Sequence, residues 1–144
     1  PFMKFLVCGI FFFALVYTSL AQERYLIVTS GGGVAGTATQ YKISLDGKAL
    51  RGKGLGEITY TEEAKLKKCK ARKYFRKADA ILASHPDFKY PGNLYYSIMA
   101  YNQGKESQIT WGDNEHEVPE SAKQLYQKIN NALTRLTFVP DMRK

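Results

Sequence analysis

The hydrophobic pattern of residues 24 to 60 is typical of β-structure. Arg24 to Ser30 is rich in β-forming residues and ends at a glycine cluster, which predicts a first strand. Thr37 to Leu45 alternates between apolar and polar residues and predicts a second strand. The Asp46-Gly47 pair favours a tight turn after it, because glycine tolerates the positive φ that such a turn requires. A third strand is then expected from Ala49 to Tyr60.

Two helices are predicted from apolar positions with helical spacing. The first is expected from Thr61 to Ser84, because Pro86 disfavours helical geometry in the residue before it. The second is expected to begin with Pro119, a residue that fits the first position of a helix. It carries the strongest amphipathic pattern in the chain, with apolar positions at Ala122, Leu125, Tyr126, Ile129, Ala132, Leu133 and Leu136.

Between the helices, residues 94–101 and 107–111 predict a further pair of strands joined by a short loop. The predicted order is therefore β-β-β-α-β-β-α. Because nearly all connections between strands are short hairpins, we expect a mostly antiparallel sheet of about five strands. The two helices should pack on one face of this sheet and give an α+β fold. The tail is expected to fray from about residue 138.

The first 22 residues follow a different pattern. Lys4 precedes a run of 12 apolar residues, Phe5 to Val16, and small residues stand three and one positions before the Ala21-Gln22 bond. This combination is typical of a secretory signal peptide, residues 1–21, that is cleaved at that bond. The run is shorter than the roughly 20 residues of a membrane span. We therefore expect a secreted or periplasmic protein, with no membrane span after cleavage and one domain at residues 22–144.

The net charge of the chain, +8, equals the charge of one segment, residues 65–77. This segment contains no acidic residue and eight basic ones, namely Lys65, Lys67, Lys68, Lys70, Arg72, Lys73, Arg76 and Lys77. Such a patch attracts anions. A solvated helix face, whose aliphatic stems cover apolar neighbours, would have the same composition. For an exported protein we do not expect nucleic acid as the anion.

Candidate catalytic and metal-binding groups are few. Cys69 is the only cysteine after the predicted leader, so no intrachain disulfide is expected, and we interpret it as an ordinary helix residue. No nucleophile with a base and no pair of catalytic carboxylates is recognisable. We therefore expect no enzymatic activity, no cofactor and no metal. An acidic stretch lacks the spacing of a calcium loop and is better suited to capping and solubility; it contains Asp113, Glu115, His116, Glu117 and Glu120.

A glycine-rich segment, residues 30–36, is the main candidate contact. Nucleotide-binding glycine loops lead from a strand into a helix whose N–H groups face the phosphates. Here the glycines lead into an alternating strand, so we do not expect nucleotide binding. Two interpretations remain open: a flexible connection, or a bare backbone that another protein can approach closely. The segment consists of Ser30, Gly31, Gly32, Gly33, Val34, Ala35 and Gly36.

The order of elements and one motif resemble those of emfourin-like proteins. In the motif a first strand runs into Ser-Gly-Gly, then a small apolar residue and Ala-Gly, which reads Val28–Gly36 here. The similarity continues in the tyrosine-containing strand Leu94–Ile98, the segment Ile109–Asp113 and the Val118-Pro119 entry to the last helix. The chain differs from the family pattern in its extra loop glycine, its predicted leader and its basic helix.

Emfourin-like proteins include inhibitors of thermolysin-like zinc metalloproteases. The resemblance implies a small inhibitor that occupies a protease cleft and performs no chemistry itself. We therefore predict a monomeric, non-enzymatic protein that inhibits a secreted thermolysin-like metalloprotease, with residues 30–36 as the contact and the 65–77 helix as an electrostatic guide. The alternative prediction is a module that binds a polyanion or the envelope surface through the basic helix.

Overall fold

The elements of the fold are given by a computed structural model that describes residues 23–142. The predicted leader, residues 1–21, and its cleavage bond Ala21-Gln22 lie outside the described residues. Within the described range the elements are β1 (Arg24–Gly32), β2 (Ala38–Ser44), β3 (Lys48–Gly54), β4 (Thr59–Lys65), α1 (Lys68–Ser84), β5 (Lys89–Tyr90), β6 (Leu94–Asn102), β7 (Lys105–Trp111), α2 (Glu120–Thr134) and β8 (Val139–Pro140).

All the described strands belong to one mixed sheet, in the order β5-β7-β6-β1-β2-β3-β4-β8. Strands β5 and β7 are parallel, and every other neighbouring pair is antiparallel. The Asp46-Gly47 turn joins β2 to β3 as the sequence predicts, with Gly47 at a φ of 94°. Neither described helix is both long enough and apolar enough to cross a bilayer.

The α+β class and the two helices agree with the sequence prediction, but the predicted sheet is wrong. The sheet has eight strands and is mixed, whereas about five antiparallel strands were expected. Two of the additional strands, β5 and β8, contain two residues each and are too short to produce a periodic signal. The third arises because residues 49–60 form a hairpin. The chain turns between β3 and β4, and Gly56 in this turn has a φ of 81°.

The first helix begins at Lys68, not at Thr61, because residues 59–65 form β4. In the sequence Thr61-Glu62-Glu63, the acidic residues after Thr61 suit the first turn of a helix. In the structure Glu62 faces Arg51 on β3, whose Nε and Nη2 atoms donate hydrogen bonds of 2.6 and 2.8 Å to its carboxylate. Glu63 pairs in the same way with Lys48, at 3.2 Å. These cross-strand ion pairs favour the sheet over local helix formation.

One hydrophobic core lies between the helices and one face of the sheet. The buried residues of both helices join the same cluster as the inward side chains of the central strands. Arg24 on β1 also pairs with Asp79 on α1, which ties the end of this strand to the helix. The largest fully buried side chains are Phe75, Leu26, Ile43, Ile98, Ile109, Ile129, Leu133 and Val28.

The chain after α2 packs on the sheet, although the sequence predicts fraying from about residue 138. Strand β8 pairs with β4, and the Asp141 N–H donates a hydrogen bond of 2.9 Å to the Thr61 carbonyl. The Phe138 ring lies 5.8 Å from the Tyr41 ring between centroids, and the Arg51 guanidinium lies 4.5 Å from the Phe138 centroid. The Phe138 ring therefore contacts β2 and β3, while the backbone of β8 pairs with β4.

The Arg51–Glu62 ion pair predicts a specific sensitivity to acid. The hydrogen bonds from Arg51 hold the pKa of the Glu62 carboxyl below its ordinary value of 4.5. Because the folded-state pKa is the lower one, the stabilisation is fully present above about pH 4.5 and is lost as pH falls through the folded-state pKa. We expect Glu62→Gln to be less stable than the parent at neutral pH, with a difference that shrinks as pH falls below about 4.5. Urea unfolding at several pH values measures this, and a constant difference would contradict it.

Candidate functional site

The glycine-rich segment lies at one end of the sheet and is shared between β1 and its connection to β2. Ser30, Gly31 and Gly32 are the last residues of β1, where Gly31 pairs with Ala38 on one side and Tyr95 on the other. Only the four residues that follow, namely Gly33, Val34, Ala35 and Gly36, belong to the connection.

The first two glycines allow close approach by other parts of the same chain. A Cβ at Gly31 would lie 2.7 Å from the Tyr95 ring. A Cβ at Gly32 would lie 1.9 Å from the backbone carbonyl oxygen of Asn93, and Gly32 has a φ of 101°. The space beside these two glycines is therefore filled by Tyr95 and Asn93 of the same chain. Both positions are glycines because β1 and the turn before β6 meet there.

Backbone hydrogen bonds anchor the β1–β2 connection at both ends. The Gly33 N–H donates to the Asn93 carbonyl at 2.9 Å, and the Gly32 N–H donates to the Thr37 carbonyl at 3.2 Å. The Gly36 N–H closes a turn on the Gly33 carbonyl at 3.0 Å. These bonds define the path of the backbone through the connection.

Three exposed apolar side chains lie in or beside this connection, and we call them the tip: Val34, Leu55 and Leu94. Val34 is fully exposed, and Leu55 and Leu94 expose 70% and 56% of their surface. Leu55 Cδ2 lies 3.4 Å from the position of a Cβ at Gly36, and Leu94 Cδ2 lies 3.6 Å from that at Gly33. Clustered exposed apolar groups mark interaction sites in soluble proteins.

An aromatic cluster on β6, β7 and α2 supports the sheet below the tip. The rings of Tyr96, Trp111 and Tyr126 contact one another with centroid separations of 5.3 to 6.0 Å, two of the pairs edge to face. Such pairs stabilise beyond the area that they bury. The strand ends that carry the tip are therefore held by packing as well as by backbone bonds.

The acidic stretch forms an ordered loop near the same end of the sheet. The His116 ring stacks on Tyr90 at 3.5 Å between centroids, and its Nδ1 atom lies 2.6 Å from an oxygen of Asp113. Desolvation opposes ionisation of Asp113, but the hydrogen bonds from His116 outweigh it and lower the pKa of the carboxyl. Among residues 23–142, no group of three or more His, Cys, Asp or Glu side chains is arranged to hold a metal ion.

Most of the basic residues lie on the exposed side of α1. Lys65 is the exception, because it ends β4 and lies 3.5 Å from Asp46. Within the described range none of the other seven forms an ion pair, and six of them are exposed, with Lys77 half-buried. We call these seven the basic surface: Lys67, Lys68, Lys70, Arg72, Lys73, Arg76 and Lys77.

The basic residues do not stabilise helix α1 itself. The first turn of α1 has no acidic residue, and its N-cap, Lys67, makes no capping hydrogen bond through its side chain. Positive side chains near a helix N-terminus oppose the helix dipole, typically by about 0.3–1 kcal/mol each. Helix stability therefore does not explain why cations are concentrated here.

The tip and the basic surface lie at opposite ends of the sheet. The Gly31–Ala38 pair marks the tip end of β1, and the Tyr25–Ser44 pair marks the other end. These pairs are six residues apart, or about 20 Å along the strand. Helix α1 begins three residues after Lys65, at the end away from the tip. This separation exceeds the Debye length of about 8 Å at physiological salt, so the electrostatic potential of the basic surface is largely screened at the tip.

Two members of the tip could not be identified from the sequence. Leu55 lies in the β3–β4 turn, inside the range 49–60 that the sequence predicts as a single strand. Leu94 lies at the tip only because β6 pairs with β1. One signal was available for the first of them. An apolar residue between Gly54 and Gly56 is unusual for an extended strand and suits an exposed turn.

Comparison with known proteins does not assign this arrangement to a family. No protein-family model matches the chain, and a search of curated proteins finds no match.

Proposed function

We propose that this protein is a non-enzymatic binding protein that inserts its tip into a cleft of another protein. The observation that carries the proposal is the exposure of Val34, Leu55 and Leu94 around a backbone held by hydrogen bonds. Burying a large apolar side chain contributes about 1.5–3 kcal/mol. Three such side chains on a preformed support can therefore act as the energetic centre of an interface, with little ordering cost on binding.

The partner that we propose is a secreted thermolysin-like metalloprotease. Support comes from the resemblance of Val28–Gly36 to the opening of emfourin-like proteins. The position of the site is compatible with this partner, because the β1–β2 connection, the β3–β4 turn and the segment before β6 come together at one end of the sheet. Protease clefts are concave, and chain segments at the end of a sheet can enter such a cleft.

Replacement of Val34 by aspartate tests the role of the tip. The exported protein should inhibit a thermolysin-like protease, and Val34→Asp should weaken this inhibition by more than about 100-fold, because it places a charge in a desolvated contact. The inhibition constant measured with a peptide substrate reports the change. The matched control is Met142→Asp, which alters another exposed apolar residue, 90% accessible, outside the tip.

Three results would count against this proposal in different ways. A lack of inhibition across a panel of thermolysin-like proteases at about 10 μM would exclude the proposed partner. Inhibition that Val34→Asp leaves unchanged would exclude the tip as the contact. A loss of inhibition in Met142→Asp equal to that in Val34→Asp would show a general effect of added negative charge.

A second candidate function is polyanion binding at the basic surface. It is favoured by the seven basic side chains that have no ion-pair partner among the described residues. Binding of this kind releases counterions and weakens as salt rises, so retention on heparin at increasing salt tests it. Because the two surfaces lie at opposite ends of the sheet, the two candidate functions are compatible with each other.

A further inference from the structure

We propose that the basic surface docks this protein on a phospholipid bilayer that contains anionic lipids. The inference rests on the second candidate function, polyanion binding, and names its partner. It is independent of what the tip binds.

The basic side chains form a wide array on the outer side of α1. At 100° per residue, Lys70 and Arg72 lie roughly 160° apart around the helix, and Lys73, Arg76 and Lys77 lie between them. The array extends about 14 Å along the axis. The acidic residue of this helix, Asp79, is paired with Arg24 and does not neutralise the array. Several anionic headgroups can therefore be contacted at once.

An apolar groove adjoins this array and distinguishes a lipid from other polyanions. The groove lies between α1 and α2, has a volume of about 270 Å³, and contains Ala80, Ile81 and Leu125. Lys77, which belongs to the basic surface, and Lys128 also line it. A phospholipid can offer its phosphate to the two lysines and its glycerol and acyl groups to the apolar residues. A sulfated polysaccharide has no apolar part to place there.

The distribution of charge favours one orientation on such a surface. At the tip end lie the acidic residues Glu57, in the β3–β4 turn, and Asp113, Glu115 and Glu117, in the loop after β7. The acidic residues at the other end are outnumbered there by the seven residues of the basic surface; they are Glu23, Asp46, Asp79 and Glu106. An anionic bilayer attracts the basic surface and repels the tip end. The tip is then directed away from the bilayer and stays accessible to a protein partner.

The experiment is sedimentation of the purified exported protein with vesicles. Vesicles of phosphatidylcholine are compared with vesicles that also contain about 30% phosphatidylglycerol. Each Lys or Arg near an anionic surface contributes about fivefold in affinity. We expect the protein to bind the anionic vesicles at least about 50-fold more tightly, and to lose this preference as salt is raised.

Three variants separate the contribution of the basic surface from those of other lysines and of the apolar groove. The five-site variant Lys67→Gln, Lys68→Gln, Lys70→Gln, Arg72→Gln and Lys73→Gln should lose more than about 100-fold in affinity for anionic vesicles. The matched control neutralises three exposed lysines elsewhere, Lys53, Lys89 and Lys105, and should change this affinity by less than about threefold. Ala80→Gln fills the groove without changing charge, and should weaken vesicle binding while leaving heparin binding unchanged.

The outcomes distinguish failure of this inference from failure of polyanion binding. Retention on heparin without binding to anionic vesicles would overturn the bilayer proposal and leave polyanion binding in place. Absence of both would overturn both. Equal binding to the two kinds of vesicle, or equal losses in the five-site variant and its control, would show that the basic surface does not direct bilayer binding, and would overturn the proposal.

Discussion

Replacing Gly32 with alanine should lower the free energy of unfolding by about 3 kcal/mol. The residue has a φ of 101°, a region that costs an ordinary side chain about 1–3 kcal/mol. The added Cβ would also lie 1.9 Å from the Asn93 carbonyl oxygen. Because this atom belongs to the backbone, no side-chain rotation relieves the contact. Either β1 or the turn before β6 must move, at a further cost of about 1–3 kcal/mol.

Gly104→Ala is the matched control for this prediction. Gly104 has a φ of 82°, but a Cβ there would meet nothing within 4 Å. The difference between the two variants in urea unfolding therefore isolates the close approach at Gly32, and we expect it to exceed about 1 kcal/mol. Equal losses in both variants would show that the contact with Asn93 is relieved without cost. Gly32→Ala should also weaken the inhibition attributed to the tip, since Leu94 is displaced with its turn.

Replacing Phe75 with alanine should lower the free energy of unfolding by about 3–5 kcal/mol. Phe75 is 2% exposed and is among the largest fully buried side chains of the described chain. Its ring also lies 5.3 Å from the Arg24 guanidinium, measured to the centroid. Removing the ring takes away buried apolar area and leaves a cavity between α1 and the sheet. Because a domain of this size has a total stability of about 5–15 kcal/mol, the loss is a large fraction of it.

Lys73→Ala on the same helix controls for helix propensity. Lys73 is exposed, and alanine is the strongest helix former, so this variant should change stability by less than about 0.5 kcal/mol. If Phe75→Ala does not fold, Phe75→Leu provides the measurement, with an expected loss of about 1–1.5 kcal/mol. A loss at Phe75 no larger than that at Lys73 would contradict the packing described for the core.

The parts of the fold that could be predicted from the sequence are those determined by local pattern. The amphipathic repeat of α2 places Ala122, Leu125, Ile129 and Leu133 on one face, and all four are buried. The Asp46-Gly47 turn follows from the backbone freedom of glycine. Both signals depend on residues within a few positions of one another, and tertiary contacts reinforce them.

Strand β4 could not be predicted because its local and tertiary preferences conflict. The sequence Thr61-Glu62-Glu63 suits a helix N-terminus by itself. It forms a strand because β3 and β8 supply backbone partners on its two sides, and Arg51 and Lys48 of β3, more than ten positions earlier, also pair with the two carboxylates. The edge strands β5 and β8 were missed for a related reason, since two residues have no periodicity and their pairing depends on the sheet already being formed.

Only part of the candidate site could be predicted from the sequence. The glycines and Val34 are contiguous, so composition alone marked them. Leu55 and Leu94 lie about 20 and 60 positions further along the chain, and only the pairing of β3 with β4 and of β1 with β6 brings them to the same end. The role of two of the glycines also differs from the predicted contact with another protein. Gly31 and Gly32 leave room for Tyr95 and Asn93 of the same chain.

The two outermost strands affect how the folded protein behaves when it is concentrated. On one side β8 contains Pro140, which has no N–H to donate and so interrupts the ladder that an incoming strand would extend. On the other side β5 covers only the last two residues of β7, and charged Lys105 and Glu106 stand at the start of the uncovered portion. Both margins therefore carry features that disfavour pairing with a further strand, Pro140 on one side and the charged pair Lys105 and Glu106 on the other.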